Sequence, residues 1–508
     1  MRRPNFWAPQ SDCRDYKEKR MTSTRCLTPV AFAIALALNL APSLGSAQAA
    51  PTAAAAKKAT TAQVRKVALT TNIVDGKMVY VNAKGQVNPT IVAEVGDTVE
   101  IVLQSGEGAE HDLAVEGLNV VSKKVNADTG PATLRFQVTK AGTFSYYCTI
   151  PGHRQIGMEG KLEVKGTTVE AEKAVQKNAP GPEALYTPAA AMAPALAGAV
   201  SIAADPSAVP PAVKAAGPQK HQKRIETVEL VGQLDDGTTF TYWTFDKQVP
   251  GPMLRMKQGD TMELTLANAK SSKMIHSIDL HAVNGGLGGG EHTQVPPGQE
   301  KTITFKALNP GLYVYHCATP LVPHHIMAGM YGMILVEPEG GLPQVDKEFY
   351  VMQGEMYTTR PIGAKTHQEV DFDKMAAELP QYYVFNGAVG ALTKEHKLKA
   401  KVGEKVRIYF GVGGPNKISS FHVIGEVFDK VYDEASLTAI KHNVQTTVVP
   451  PGGAAIVELT PQVPGNYLLV DHALSRTGKG LVGILEVSGQ AEPGVYSGVS
   501  DPNAAHGH

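Results

Sequence analysis

Apolar and polar residues alternate in short runs along much of this chain, and one pattern returns three times. The stretches VGDTVEIVL (Val95–Leu103), QGDTMELTL (Gln258–Leu266) and VGEKVRIYF (Val402–Phe410) each open on a Gly-acid pair and continue with alternating apolar residues. A period of two predicts a half-buried strand. Each opener is answered downstream by a closing run: AGTFSYYC (Ala141–Cys148), PGLYVYHC (Pro310–Cys317) and PGNYLLVD (Pro464–Asp471). The eighth residue of the closing run falls in register, giving Cys148, Cys317 and Asp471. Repeated strands that bury the same face imply one fold used three times, and the spacing suits a Greek-key sandwich of roughly 100–140 residues. The expected fold class is therefore all-β, with three tandem Greek-key β-sandwiches over residues 66–165, 223–342 and 343–489 and a tail over 490–508.

Two segments break the pattern. Residues 166–222 are rich in Ala and Pro, including AAAMAPALAGAV (Ala189–Val200) and PSAVPPAV (Pro206–Val213), which predicts a semi-extended linker between the first two copies. Residues 1–49 carry, from Met21 onward, a basic position at Arg25, an apolar run from Val30 to Leu40 and the small-residue site Ala47-Gln48-Ala49. That order predicts a secretory signal peptide cleaved near Ala49, with either Met1 or Met21 as the start. The apolar run is too short to span a bilayer, so an exported, periplasmic protein without a membrane span is expected.

Charge adds an exclusion: 48 Lys+Arg balance 48 Asp+Glu, and only 6% of residues are aromatic, which argues against a nucleic-acid partner. Removing residues 1–49 leaves the chain mildly acidic. It also removes Cys13 and Cys26, so the exported protein keeps Cys148 and Cys317. Two cysteines in an oxidising compartment would by default form a disulfide, but their surroundings point to metal.

Cys148, His153 and Met158 follow Cys-x4-His-x4-Met in SYYCTIPGHRQIGM, with His111 upstream in EHDLAV. A thiolate, two imidazoles and a weak thioether form the soft trigonal set that favours copper in an electron-transfer site. These residues resemble the blue-copper site of cupredoxins, so the three sandwiches are expected to be cupredoxin-like. The second copy repeats the set with His276 in MIHSIDLH and Cys317, His325 and Met330 in HCATPLVPHHIMAGM. His324 competes with His325 as the ligand. His325 keeps the five-residue step to Methionine that joins His153 to Met158, which leaves His324 to shield the metal or touch a partner.

Alternation along a strand then separates the remaining histidines. His276 and Cys317 turned inward would send His281 and His316 outward together, as half of a second metal site. The first copy has Glu116 and Tyr147 at those positions. The third copy has Asp471 in place of the cysteine, yet keeps His472 beside it and His422 in SSFHVIGEV, which makes sense if this copy closes the outward site of the second.

From about residue 203 to 489 the chain resembles the copper-containing nitrite reductases, and with its extra N-terminal cupredoxin it resembles their three-domain variant. The resemblance implies type 1 copper at His276, Cys317, His325 and Met330, and type 2 copper at His281, His316 and His472, the last supplied by the neighbouring subunit of a homotrimer. It also implies that Asp279 and His422 act as the acid/base pair, with Ile424 shaping the substrate pocket. The implied reaction is one-electron reduction of nitrite, with two protons, to nitric oxide and water. The electron would come from a donor protein, a small cupredoxin or a cytochrome c. Two other readings stay open. A multicopper oxidase would need several His-x-His pairs, whereas the sequence has one, His506-Gly507-His508, and Ala318 follows Cys317. A non-enzymatic blue-copper electron carrier would leave His281, His316 and His472 without a task.

Overall fold

The computed structural model describes residues 62–498 apart from 76, 151, 167–193 and 215, so the signal-peptide reading of 1–49 lies outside the described residues. Among the described residues the strands form six sheets, paired face to face as three sandwiches. The openers become strands Thr98–Gln104, Thr261–Asn268 and Val406–Gly414, and the closers become Gly142–Tyr147, Gly311–His316 and Gly465–Asp471. In the first two sandwiches the opener pairs in parallel with the first strand, Val64–Val74 or Lys220–Asp235, and antiparallel with Ala132–Gln137 or Glu300–Lys306. No helix among the described residues is long and apolar enough to cross a membrane.

The Gly-acid pair has a structural task. Asp97 accepts hydrogen bonds from the backbone N–H groups of Gln63 and Glu94, at 2.8 and 3.0 Å, and Asp260 accepts from those of Gln219 and Lys257, at 2.7 and 2.8 Å. Each carboxylate thus satisfies two otherwise orphaned donors where the first strand enters the sheet. Glu404 does the same for the N–H of Lys401 in the third copy.

The third copy departs from the expected half-buried strand, because Val406–Gly414 is buried along its whole length. Its outer face packs on the central sandwich. A β-carbon at Gly411 would lie 2.5 Å from Met333 Sδ, and one at Gly413 would lie 2.6 Å from the Tyr331 ring, so only glycine permits the approach. The expected tether also needs correction at its C-terminal end. Val200 and Ala203 bridge to Gly232 and Val249, and the backbone N–H of Tyr350 donates to Pro206 O at 2.8 Å. Lys220–Asp235 is already a strand. Proline-rich backbone that finds acceptors along a sheet edge is held there, a cue composition does not carry.

Candidate copper centres

In the central sandwich His276 arrives just before the short strand Asp279–Leu280, Cys317 just after strand Gly311–His316, and His325 from the helix Val322–Met327. Their donor atoms converge inside the sandwich: His276 Nδ1 lies 3.3 Å from His325 Nδ1, which lies 3.2 Å from Cys317 Sγ. Met330 is fully buried beside them, with its carbonyl accepting from Cys317 N–H at 3.1 Å and its own N–H donating to His325 O at 3.1 Å. The first sandwich repeats this geometry. Cys148 Sγ is 3.4 Å from His153 Nδ1, which is 3.1 Å from His111 Nδ1, and the Cys148–Met158 and Met158–His153 backbone bonds recur at 3.2 and 3.0 Å.

The hydrogen bonding tests whether these sets fit copper. His276 Nε2 is held by Glu229 at 3.2 Å, and His111 Nε2 by Glu107. A carboxylate there fixes the N–H on Nε2 and leaves the Nδ1 lone pair facing inward. Inward lone pairs a little over 3 Å apart, beside a buried sulfur, repel unless a cation sits among them. Two imidazoles, a thiolate and a nearby thioether suit a soft copper ion. Cys148 and Cys317 are both buried and unpaired, and so form no disulfide.

The two thiols differ in setting. Burial raises the Cys148 thiol far above its ordinary value, helped by the adjacent Asp112 carboxylate. Burial also opposes ionisation of Cys317, but the neighbouring His325 and His276 outweigh it and pull the thiol well below the usual range. Burial works against a charge on His276, yet in the metal-free chain contact with Cys317 and Glu229 raises it to about 9, a proton that a bound metal would displace from Nδ1. His324 is buried between the Trp243 ring, 4.3 Å away, and Phe372, 5.1 Å away, and does not join the cluster. Burial and the charge of His325 keep it neutral, well below its ordinary value.

The second face of the central sandwich carries a different set. Asp279 pairs across the sheet with His316, and the ring of His281 meets that of His316, their Nε2 atoms 3.1 Å apart. Asp279 Oδ2 lies 3.9 Å from His316 Nε2. These groups are half-buried or exposed, whereas Cys317, one residue from His316, is completely enclosed. Burial, and then the neighbouring His316, lower the pKa of His281, so its nitrogen is free to bind a metal. Among the described residues of one chain, His472 does not join this pair.

His422 and Ile424 lie two apart on the strand Ser419–Ile424, on the face opposite the buried Phe421 and Val423. The His472 ring lies 5.5 Å from that of His422, and His422 Nδ1 donates to Gln445 O at 2.6 Å. Thus His422, Ile424 and His472 share one surface of the third sandwich. Sequence reasoning missed Glu107, Glu229 and Trp243. The last had a signal, as one of only two tryptophans in the chain.

Residues 67–165 match the family of copper binding proteins of the plastocyanin/azurin type, and residues 228–341 match the multicopper oxidase family. A copper-containing nitrite reductase of Neisseria meningitidis is 52% identical over 290 residues, which cover 57% of this chain and 75% of the relative. The chain belongs to the copper-containing nitrite reductases. A second member of that family, from Alcaligenes xylosoxydans xylosoxydans, is 35% identical over 331 residues, covering 60% of this chain and 98% of its own length. A solved copper nitrite reductase from Nitrosomonas europaea aligns with 55% of this chain and 98% of its own at 35% identity and a TM-score of 0.49. The present chain is a copper protein, and it carries an additional N-terminal sandwich of the plastocyanin/azurin type.

Proposed function

We propose that the two enclosed sets, His111/Cys148/His153/Met158 and His276/Cys317/His325/Met330, hold type 1 copper, and that His281 and His316 hold the catalytic type 2 copper. The protein is a copper-containing nitrite reductase that reduces nitrite by one electron to nitric oxide and water. The observation that carries the site reading is the pair of faces at residues 316 and 317. His316 Nε2 reaches outward to His281, and Cys317 Sγ reaches inward to His325. One peptide unit therefore joins an electron-holding centre to a solvent-accessible histidine pair.

Copper at the histidine pair, when bound, supplies an exchangeable position for the anion and delivers the electron. Asp279, beside His316, hydrogen-bonds a substrate oxygen and hands over a proton, and His422, on the same surface as His472, supplies the second. Ile424, on the same face as His422, limits the space over the site. The third metal ligand is His472 of the neighbouring copy in a homotrimer. Exposed apolar side chains support such an assembly on both surfaces: Leu287 is 76% exposed in the loop after His281, and Val448, paired across from Ser420, is 58% exposed. The electron comes from a periplasmic donor, a small cupredoxin or a cytochrome c.

Nitrite-dependent nitric oxide release tests the reading, with His281→Ala as control. The variant is expected to lose turnover and keep its blue colour. Turnover at the wild-type rate in His281→Ala would overturn it.

A further inference from the structure

The loop that carries His153 turns its Gly152 and His153 away from solvent. Gly152 and His153 sit on the central sandwich, over its own blue-copper set. His153 Nε2 lies 3.3 Å from Met274 Sδ, and both side chains are buried. A β-carbon at Gly152 would lie 2.8 Å from Leu321 Cδ1 and 3.6 Å from His324 Nδ1, so the backbone of one sandwich touches the metal-binding loop of the other. The contact is registered beside it: the backbone N–H of Glu110, next to His111, donates to Lys273 O at 3.0 Å, and Lys270 pairs with Asp128 at 3.7 Å.

Met274 is tied to the central centre in two ways. It precedes His276 by two residues, and its backbone N–H donates to Glu229 Oε1 at 2.8 Å, the same oxygen that holds His276 Nε2 at 3.2 Å. A route of covalent and hydrogen bonds, broken once by the His153–Met274 contact, thus runs from one ligand histidine to another. Met274 stands where the first sandwich has Ala109, as the paired strands Ala114–Tyr147 and Asp279–His316 establish, so its bulk is particular to this interface.

We infer that the N-terminal copper centre is the internal electron donor to the central one, with Met274 as the bridging side chain. Cu(I) in the N-terminal set is oxidised to Cu(II) while Cu(II) in the central set is reduced to Cu(I); no bond breaks and no proton moves. The inference rests on the type 1 reading of both sets.

The test uses the copper-loaded full chain without nitrite. A flash delivers less than one electron per chain, and the two blue absorptions are followed as the electron redistributes. The expected result is a first-order exchange independent of protein concentration, slowed severalfold in Met274→Ala and largely restored in Met274→Leu, with both blue signals present throughout. An exchange rate proportional to protein concentration, no exchange, or an unchanged rate in Met274→Ala would overturn the inference while leaving the type 1 reading intact. A chain that loads only one blue centre would overturn both.

Discussion

The N-terminal and central sandwiches hold the same inward constellation and differ in what the adjacent strand positions send outward. His316 and His281 of the central sandwich correspond to Tyr147 and Glu116 of the first, since Glu116 N–H donates to Ser145 O where His281 N–H donates to Val314 O. In the first sandwich this outer corner is closed: the Arg154 guanidinium lies 4.2 Å from the centre of the Tyr147 ring and bonds Glu116 at 3.0 Å and Glu159 at 2.7 Å. In the central sandwich two imidazole nitrogens face one another beside a carboxylate. On the proposed reading, two outward side chains separate a sandwich that only stores an electron from one that passes it to a substrate.

The largest effect should come from erasing that difference. The double variant His281→Glu, His316→Tyr gives the central sandwich the outer corner of the first. Nitric oxide release should fall to background, while both blue absorptions persist. The reciprocal loss, Cys148→Ser, should remove one of two blue signals and leave the type 2 copper bound, as element analysis and electron paramagnetic resonance would show.

The third sandwich shows what happens when the inner set is lost as well. Counting along the pairing of Phe421 with Asp471, Ser419 takes the place of His276 and Asp471 that of Cys317. Asp471 is buried, accepts from the N–H groups of Ser420 and Ala473 at 3.1 and 3.0 Å, and pairs with Arg476. A hydrogen-bonded carboxylate thus occupies the space of a metal centre. Replacing Asp471 with Ala should lower stability by about 3 kcal/mol, because it strands Arg476 and two backbone donors. Thermal unfolding would measure it, and the blue bands should not change.

Much of this was legible from side-chain order. The three-fold recurrence gave the all-β class, because strands with period two and matching closers have few other ways to bury one face. Adjacent positions on a strand face opposite ways, so His316 and Cys317 could be separated without coordinates. What could not be read were features set by packing between sandwiches. Glu229 lies far along the chain from His276, and Glu107, though only four residues before His111, carries no spacing cue; each gains meaning only when folding turns it onto the Nε2 of a ligand histidine. Residues 194–214 look like free tether until sheet edges supply their partners, and Val406–Gly414 looks half-exposed until Met333 and Tyr331 cover it.

Two smaller changes sharpen the comparison further. Glu229→Gln and Glu107→Gln keep the shape of the group that orients each ligand histidine but remove its charge. Each should weaken copper at its own sandwich by about 10–100-fold and leave the other unaffected, as competitive chelation would show. Arg154→Ala opens the outer corner of the first sandwich without creating a metal site. Its partners are partly exposed, so unfolding should report a change of about 1 kcal/mol or less, with no copper gained beyond the three of the wild type.

The central claim is that this chain holds three metal sites, of which the outward one is built on His281 and His316. Metal analysis of the copper-loaded, assembled protein, resolved by element and compared with His281→Ala, addresses it directly. The account predicts three coppers per chain in the wild type, one of them lost in the variant while both blue bands remain. Two coppers in the wild type, zinc at the outward site of the active enzyme, or an unchanged count in the variant would contradict it.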